Sequence, residues 1–340
     1  MVYLKKTNYF MSVILVHVSD FPNMARFSYL KSCLNSLLNL LYDEYEIIVV
    51  YNRSTLLEIN EISQLDPKIS AVNINEQMSV TYARNVGANM AKGDYLIFLD
   101  TDTHVDPDWM NGIINGIHSS STNVGVFGCS QYSYNGLPKY QDIEGTCDVL
   151  GSVWDEFTVQ KKIPSKYSGF EALGFALIMR KNLFHHIGGY DKRYETQGFD
   201  LDLSWRVRLA GYDIVTLRSV KVYHAQGVTQ NYIDPKKIYR LERNTLITLL
   251  KNYDLRTLIL LLPVHIAQLF LEIFLFFLLL RFDLAYCVLN AMYWNITNIR
   301  TTWIMRQSAQ NIRKINDRKL MEKMLKKNVR AFKFSKYFLP

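Results

Sequence analysis

Three places in the sequence group side chains in patterns that can do chemistry. The first is Asp100-Thr101-Asp102, at the end of the apolar run DYLIFLD. Two carboxylates so close together at a strand end need a cation or hydrogen bonds. The pair can divide its work, one holding a hard divalent metal while the other bonds a sugar hydroxyl. The second is Gly198-Phe199-Asp200-Leu201-Asp202-Leu203-Ser204-Trp205-Arg206. Its two acids fall at the start of a helix, where a carboxylate satisfies free N–H groups. Asp202 reads as such a cap and Asp200, at the pocket end, as a candidate general base. The third is His224, which closes the run VKVYH. Its imidazole can ligate a metal or sit satisfied in a core. Trp205 reads as core rather than as a binding wall.

The elements that must position these groups are legible as alternating patterns. SVILVHV (12–18), EIIVVY (46–51), AVNIN (71–75) and DYLIFLD (94–100) are short apolar or β-branched runs. Between the first two, Tyr29, Leu30, Cys33, Leu34, Leu37, Leu38 and Leu41 recur at helical spacing. Thr81 to Met90 reads as a helix with Ala83, Val86 and Met90 inward and Gly93 as its C-cap. Such alternation predicts an α/β fold with a mostly parallel sheet covered on both faces. Strand C-termini in such a sheet face the ligand crevice, which is where Asp100 and Asp102 would lie. Further on we expect a helix from Asp106-Pro107 to Ile117 and strands over 125–133 and 176–180. Short helices over 181–187 and 201–210 end at Gly188-Gly189 and Gly211, and two strands within 212–224 close the domain. The stretch 134–170 has no period and reads as a functional loop or lid.

Composition narrows the class. With 340 residues and 49% hydrophobic content the chain is folded, as one large domain or two. Cys33, Cys129, Cys147 and Cys287 form no CxxC pair, which argues against a zinc ribbon or dithiol site and fits a reducing compartment. The run Met11 to Val16 is too short for a signal peptide and reads as a first strand. Neither GxxxxGKS nor GxGxxG occurs, so P-loop and dinucleotide readings lack their motifs.

The formal charge of +8 is concentrated near the C-terminus, where ten Lys and Arg stand against Asp317 and Glu322 between Arg313 and Lys336. After a helical stretch over 239–253 comes LILLLPVHIAQLFLEIFLFFLLL (258–280), long enough as a helix to cover ~35 Å. It carries Pro263, and its His265, Gln268 and Glu272 share one helix face. A charge at bilayer depth is costly, so an amphipathic or hairpin membrane segment is expected, with Arg281-Phe282-Asp283 at the break and 284–299 returning. The basic tail would then lie on anionic lipid. Nucleic acid is not an expected partner, because the tail has no interleaved aromatics before Phe332 and Phe334. The division is therefore 1–254, a hydrophobic helical region 255–300, and a basic tail 301–340.

ARNVGANMAKGDYLIFLDTD (83–102), ALIMRKNLFHHIGGYDKRYETQGFDLDLSWRVRLAGYDI (176–214), VYH (222–224) and RNTLITLLKNYD (243–254) together resemble the family 2 glycosyltransferases of the GT-A fold. The resemblance covers about residues 11–254, and the hydrophobic segment and basic tail are similar to those of members that work at a membrane on lipid-linked glycans. It implies an inverting enzyme that moves a sugar from a nucleotide-sugar donor to a hydroxyl of a glycan or lipid-linked saccharide, on the cytoplasmic face of a membrane. By the same resemblance Asp200 is the catalytic base, and Asp102 with His224 holds Mg²⁺ or Mn²⁺. Asp100 binds the donor ribose, or the metal through water; Asn52, Arg84 and Asn85 are further donor-side candidates. Arg84 is equally readable as a solvated helix charge. Two departures stand out. Tyr51-Asn52-Arg53-Ser54 replaces an Asp after the second strand, and Phe199 replaces the Glu of a Glu-Asp pair. The second departure keeps open an alternative, a catalytically inactive membrane-bound binding protein on the same fold.

Overall fold

The computed structural model describes residues 8–19, 24–52, 56–74, 78–134, 146–154, 166–167, 169–225, 234–326 and 328–330. Expectations that fall on Arg53-Ser54, on most of the 134–170 loop and on 331–340 lie outside these residues. The N-terminal half alternates strand and helix: β1 (Met11–His17), α1 (Ala25–Leu38), β2 (Tyr45–Asn52), α2 (Leu56–Ser63), β3 (Ile69–Ile74), α3 (Val80–Met90) and β4 (Tyr95–Leu99). Then follow β5 (Thr103–Val105), α4 (Trp109–His118), β6 (Val124–Ser133), the short β7 (Thr146–Cys147), β8 (Val153–Trp154) and β9 (Lys166–Tyr167), and β10 (Ala176–Arg180). The sheet is completed through α5 (Lys181–His186), α6 (Phe199–Leu209) and β11 (Asp213–His224).

The main sheet runs in the order β3-β2-β1-β4-β10-β6-β11-β5. It is parallel across β3, β2, β1 and β4, as the alternation predicts. Beyond β4 it is mixed: β10 runs antiparallel to both β4 and β6, and β5 antiparallel to β11. Apolar side chains of α1 and α4 (Phe27, Leu34, Trp109, Ile113) pack on one face of the sheet. Those of α3, α5 and α6 (Ala83, Phe184, Leu203, Val207) pack on the other.

Four local expectations change. Gly93 is not the cap of α3, which ends at Met90 with Ala91 as C-cap. Gly93 is instead required by crowding, since a Cβ there would lie 2.7 Å from Phe10 O and Ser12 N. The two closing strands are one strand, β11, whose pairing with β6 is interrupted between Leu217 and Lys221 by a bulge. β5 is too short for its three residues to show a period, and its partner is distant in sequence. Finally, α6 is buried from Leu201 to Leu209, because a third layer covers it.

That third layer is α7 (Pro235–Asn252), α8 (Leu255–Leu278), α9 (Phe282–Thr297), α10 (Ile299–Asn311) and α11 (Asp317–Met321). Asp234 caps α7 by accepting from Lys236 N, and Asp254 caps α8 by accepting from Thr257 N. The open carbonyls at the end of α7 are filled by α10 and its exit. Arg306 donates to Leu250 O and Tyr253 O at 2.6 Å each, Gln310 to Lys251 O at 3.0 Å, and Arg313 to Asn252 O. The helix break expected near Arg281 is a Schellman turn: Arg281 N bonds Phe276 O and Leu280 N bonds Phe277 O, with Leu280 left-handed at φ 57°.

α8 is one helix long and apolar enough to cross a membrane, with mean hydropathy 2.2. Its inner face, Leu258, His265, Leu269, Glu272, Ile273 and Phe276, is buried, while Leu260, Val264, Leu271, Phe274 and Leu278 are exposed. The exposed apolar face continues onto α9 and α10 through Phe282, Tyr286, Tyr293, Ile296, Trp303 and Ile304. The stretch read as a basic tail is in part built into the fold. Arg313 pairs with Asp317 at 2.7 Å, and Arg330 is buried against Glu242 and Glu272. Lys314, Arg318, Lys319, Lys323 and Lys326 remain exposed.

Candidate active site

β4 ends at Leu99, in the middle of the sheet, and the chain turns through Asp100, Thr101 and Asp102 before β5 begins. Three ties fix this turn: Asp100 N donates to Phe175 O (2.9 Å), the Thr103 hydroxyl to Asp100 O (2.7 Å), and Ala225 N to Asp102 O (2.8 Å). Because β5 pairs antiparallel with the end of β11, Thr103 stands opposite His224. The pairing brings His224 Nε2 to 3.0 Å from Asp102 Oδ1 and 4.0 Å from Asp100 Oδ2.

One potential ligand atom from each of Asp100, Asp102 and His224 lies within 4.8 Å of the others. The donor set of two carboxylates and one imidazole, part-open to solvent, suits a divalent cation such as Mg²⁺ or Mn²⁺. Burial acts to raise the Asp102 pKa, but the hydrogen bond and charge of His224 outweigh it and hold the carboxyl below its ordinary value. Burial acts to lower the His224 pKa, and Asp102 outweighs it in turn, so the imidazole is raised.

Two residues absent from the sequence reading aim the imidazole. The side chain of Gln131 lies 2.8 Å from His224 Nδ1, and the Phe175 ring stacks on the imidazole at 5.6 Å and 22°. Gln131 is a buried amide in the polar end of β6, among Ser130, Tyr132 and Ser133, where nothing in the sequence sets it apart. Phe175 gave no signal either, as any apolar residue before a strand looks alike.

Asp200 arrives from the other side. Gln197 and Gly198 both adopt positive φ (52° and 73°), a turn that throws Phe199 and Asp200 into the first turn of α6. Asn244 of α7 clamps that turn by donating to Thr196 O and Gln197 O, both at 2.8 Å. The Asp200 carboxylate accepts from Gly174 N (3.1 Å) and Leu201 N (3.0 Å). Burial raises its pKa above the ordinary value, and these N–H groups oppose the rise.

The Gly174 peptide joins the two halves of the site. Its N–H reaches Asp200, and its carbonyl accepts from Arg84 Nη2 (2.8 Å), which also bonds Asp100 Oδ1 at 2.7 Å. Arg84 is therefore not a solvated charge: it is buried, and the Phe199 ring covers it at 4.9 Å. The amides of Asn85 and Asn52 are committed to backbone, and Asn85 also lines a cavity between α3 and α10. Asn85 exchanges hydrogen bonds with Tyr190 N and O, and Asn52 with Met78 N and O. Asp202 is not a cap. It is buried in an ion cluster, 2.8 Å from both Arg206 and Lys251, and Lys251 also meets Asp191 at 2.8 Å. Trp205 is core, fully buried against Phe170 and Tyr253.

Residues 21–188 match the family model described as glycosyl transferase family 2. These residues form a family 2 glycosyl transferase domain. The chain is 23% identical over 230 residues to the O-antigen biosynthesis protein RfbC of Myxococcus xanthus, an alignment covering 64% of this chain and 17% of that protein. The chain spans between 16 and 26% of the length of the first curated relatives it matches. Among solved structures, GalNAc-T7 with UDP, GalNAc and Mn²⁺ superposes with a TM-score of 0.56 at 16% identity, over 73% of this chain and 48% of that one. The mannosyltransferase PcManGT of Pyrobaculum calidifontis, in complex with GDP-Man and Mn²⁺, gives 0.52 at 15% identity, over 90% and 86%. The glycosyl transferase domain has the GT-A fold.

Proposed function

We propose that the chain is an inverting, metal-dependent glycosyltransferase that moves a sugar from a nucleoside-diphosphate donor to a hydroxyl of a glycan or lipid-linked saccharide. The observation that carries this reading is the Asp100-Asp102-His224 cluster at the strand ends, tied through Arg84 and Gly174 to a buried acid, Asp200. The named neighbours with UDP or GDP-Man and Mn²⁺ support the same donor and metal class.

In this mechanism Asp200 accepts the proton of the acceptor hydroxyl as that oxygen bonds the sugar C1. The bond from C1 to the diphosphate breaks on the opposite face, and the nucleoside diphosphate leaves with the electron pair. Asp102 and His224, with Asp100 beside them, would hold a divalent cation, which when bound neutralises the charge on that leaving group. Arg84 holds Asp100 in place. Gln131 and Phe175 hold the imidazole of His224. Asn52 and Asn85 act by fixing the backbone around the donor.

In this reading the chemistry takes place at the cytoplasmic face of a membrane, and the exposed apolar face of the C-terminal helices supports the attachment. The inner side of α8 packs on protein and its outer side is apolar, which supports a helix lying in one leaflet rather than crossing both.

The test is a panel of nucleotide sugars scored for released nucleoside diphosphate, with and without Mn²⁺. Metal-stimulated release from one donor class is expected. No release from any donor leaves the alternative, an inactive membrane-bound binder, which the Phe199 substitution of the acidic motif favours.

A further inference from the structure

Arg84, which bridges the two halves of the site, is itself held in a box of three aromatic rings. Its guanidinium carbon lies 4.9 Å from the centre of the Phe199 ring, 5.7 Å from that of Tyr190 and 5.9 Å from that of Phe98. The rings brace one another edge to face, Phe98 on Tyr190 at 5.1 Å and Tyr190 on Phe199 at 5.7 Å. Arg84 Nη1 reaches the Tyr190 hydroxyl at 3.5 Å, and Nη2 is left to bridge Asp100 Oδ1 and Gly174 O. Phe98 and Tyr190 are buried core residues, whereas Phe199 is half-buried and opens α6 beside Asp200.

The Phe199 ring also presses on Gly174. A Cβ at Gly174 would lie 2.8 Å from Phe199 Cε2, 3.0 Å from Cζ and 3.4 Å from Arg84 Nη1. Only a residue without a side chain lets the ring and the guanidinium close on that backbone together. A glycine backbone is also the freest to turn, so the Gly174 N–H stays aimed at Asp200 only while the Gly174 carbonyl is gripped. An aromatic face attracts the Arg84 cation and offers no carboxylate to compete with Asp100 or with the Gly174 carbonyl. A carboxylate at position 199 would stand beside the guanidinium as a rival charged acceptor, and would add like charge next to Asp200.

We propose that Phe199 is a positioning residue for the base: its ring holds Arg84 on the Gly174 carbonyl, and Arg84 through that backbone keeps an N–H donor on Asp200. This rests on the glycosyl-transfer reading and deepens its account of the base. The Phe199 ring is taken by Arg84, Tyr190 and Gly174, so it acts through them and not on substrate. Arg84 of α3 and Tyr190 of the turn after α5 are the charged and titratable groups that face Asp200. The Arg84 charge and the Gly174 and Leu201 N–H groups favour the ionised carboxylate, against its burial. Loosening Arg84 therefore withdraws two of these supports, and the base ionises only at higher pH.

The test follows kcat and donor KM against pH, with Mn²⁺ saturating, in the full chain. Phe199→Leu keeps apolar volume without a ring face and is expected to lower kcat about tenfold, with donor KM held within about twofold. Phe199→Glu is expected to lower kcat further, and in both variants the acid limb of kcat moves to higher pH. Arg84→Lys replaces a fork that reaches two acceptors by a point charge. Phe199→Leu combined with Arg84→Lys is expected to be no slower than Arg84→Lys alone, because both cut the same link. The inference is overturned if Phe199→Glu keeps or raises kcat, if the acid limb does not move, if the loss is all in KM, or if the two substitutions multiply. Should Phe199→Glu fail to fold, Phe199→Leu and the double variant decide alone. A wild type that turns over no donor sinks the transferase reading, and the inference is then decided by NMR titration of the chain labelled with ¹³C-carboxyl aspartate. Asp200 is assigned there by its loss in Asp200→Asn. An Asp200 carboxyl that titrates at higher pH in Phe199→Leu sustains the inference, and an unmoved titration overturns it.

Discussion

Asp102 and His224 lie 122 positions apart in the chain and 3.0 Å apart in the fold. Their meeting depends on the three-residue strand β5, which turns back from the end of β4 to pair with the end of β11. If the pair holds a divalent cation, Asp102→Asn replaces an anionic oxygen ligand by a neutral one at nearly constant shape. The expected result is a protein with an unchanged melting temperature whose Mn²⁺ binding and metal-stimulated nucleoside diphosphate release both collapse. Wild-type turnover by Asp102→Asn in metal-limited buffer would remove Asp102 from the metal site.

Gln131 offers a finer test of the same site. It touches only the far nitrogen of the His224 ring, so it acts on the metal through orientation. Gln131→Ala is expected to weaken Mn²⁺ binding by roughly 10–100-fold, read by EPR titration of free Mn²⁺. Gln131→Glu, which puts a carboxylate oxygen where the Gln131 amide nitrogen faces Nδ1 and so can accept from an Nδ1–H, is expected to recover most of the loss. Equal loss in both variants would mean a packing role.

The base assignment makes a prediction in pH. Asp200 must be ionised to accept a proton, and its pKa is raised above 3.8 chiefly by burial. Activity should therefore fall on acidification at a pH higher than an ordinary carboxylate would give. Asp200→Asn is expected to cost on the order of 10²–10⁴ in transfer rate while calorimetric donor affinity is kept. Loss of donor affinity with unchanged turnover of bound donor would place Asp200 on the donor side instead.

The sequence carried the half of the site that local pattern can encode. Asp100, Asp102, Asp200 and His224 were each readable because a charged or titratable residue closing an apolar run, or opening a helix, is conspicuous. The ties between them were not readable. Gly174 acts through its peptide alone, which no side-chain pattern reports. Asp202 resembled a cap because its partners Lys251 and Asn252 lie some fifty residues downstream, at the far end of α7. Arg84 looked like a surface charge because the rings that bury it, Phe98, Tyr190 and Phe199, come from three separate elements or turns.

The buried ion cluster under α6 should set the stability of the domain. Lys251 meets both Asp191 and Asp202 at 2.8 Å, and Arg193 meets Asp191 at 2.7 Å. Lys251→Met would leave two buried carboxylates short of a cation, at a cost of about 3–5 kcal/mol in chemical denaturation. Burial acts to raise the Asp191 pKa, but the Lys251 and Arg193 charges outweigh it and hold the carboxyl far below its ordinary value. A depressed folded-state pKa contributes stability that is full above the unfolded value, about 3.9, and is lost as pH falls below it. The wild type should therefore lose stability more steeply than Lys251→Met as pH falls from about 5 to 3. Parallel pH–stability curves for the two proteins would show that the cluster is not coupled in this way.

The membrane reading rests on the outer face of α8 and its continuation, and the way the helix is held makes the prediction specific. His265 and Glu272 face protein, where Arg330 meets Glu272 at 3.1 Å, so α8 cannot leave the body to span a bilayer without breaking that pair. Leu260, Val264, Leu271 and Phe274 would sink into the acyl boundary, and the exposed cations Lys314, Arg318, Lys319, Lys323 and Lys326 would add about 1 kcal/mol each where they reach anionic lipid. The full chain is expected to float with neutral liposomes and more completely with anionic ones, and high salt should remove only the difference. Leu271→Lys with Phe274→Lys should abolish flotation with neutral vesicles while leaving donor turnover intact. Truncation after Tyr253 is a poorer tool, since it removes Arg306, Gln310 and Arg313 from the end of α7 and so disturbs the helix that clamps the turn before Asp200. A full-length protein that stays at the bottom of the gradient with both vesicle types would leave the apolar face to a protein partner and take the membrane out of the mechanism.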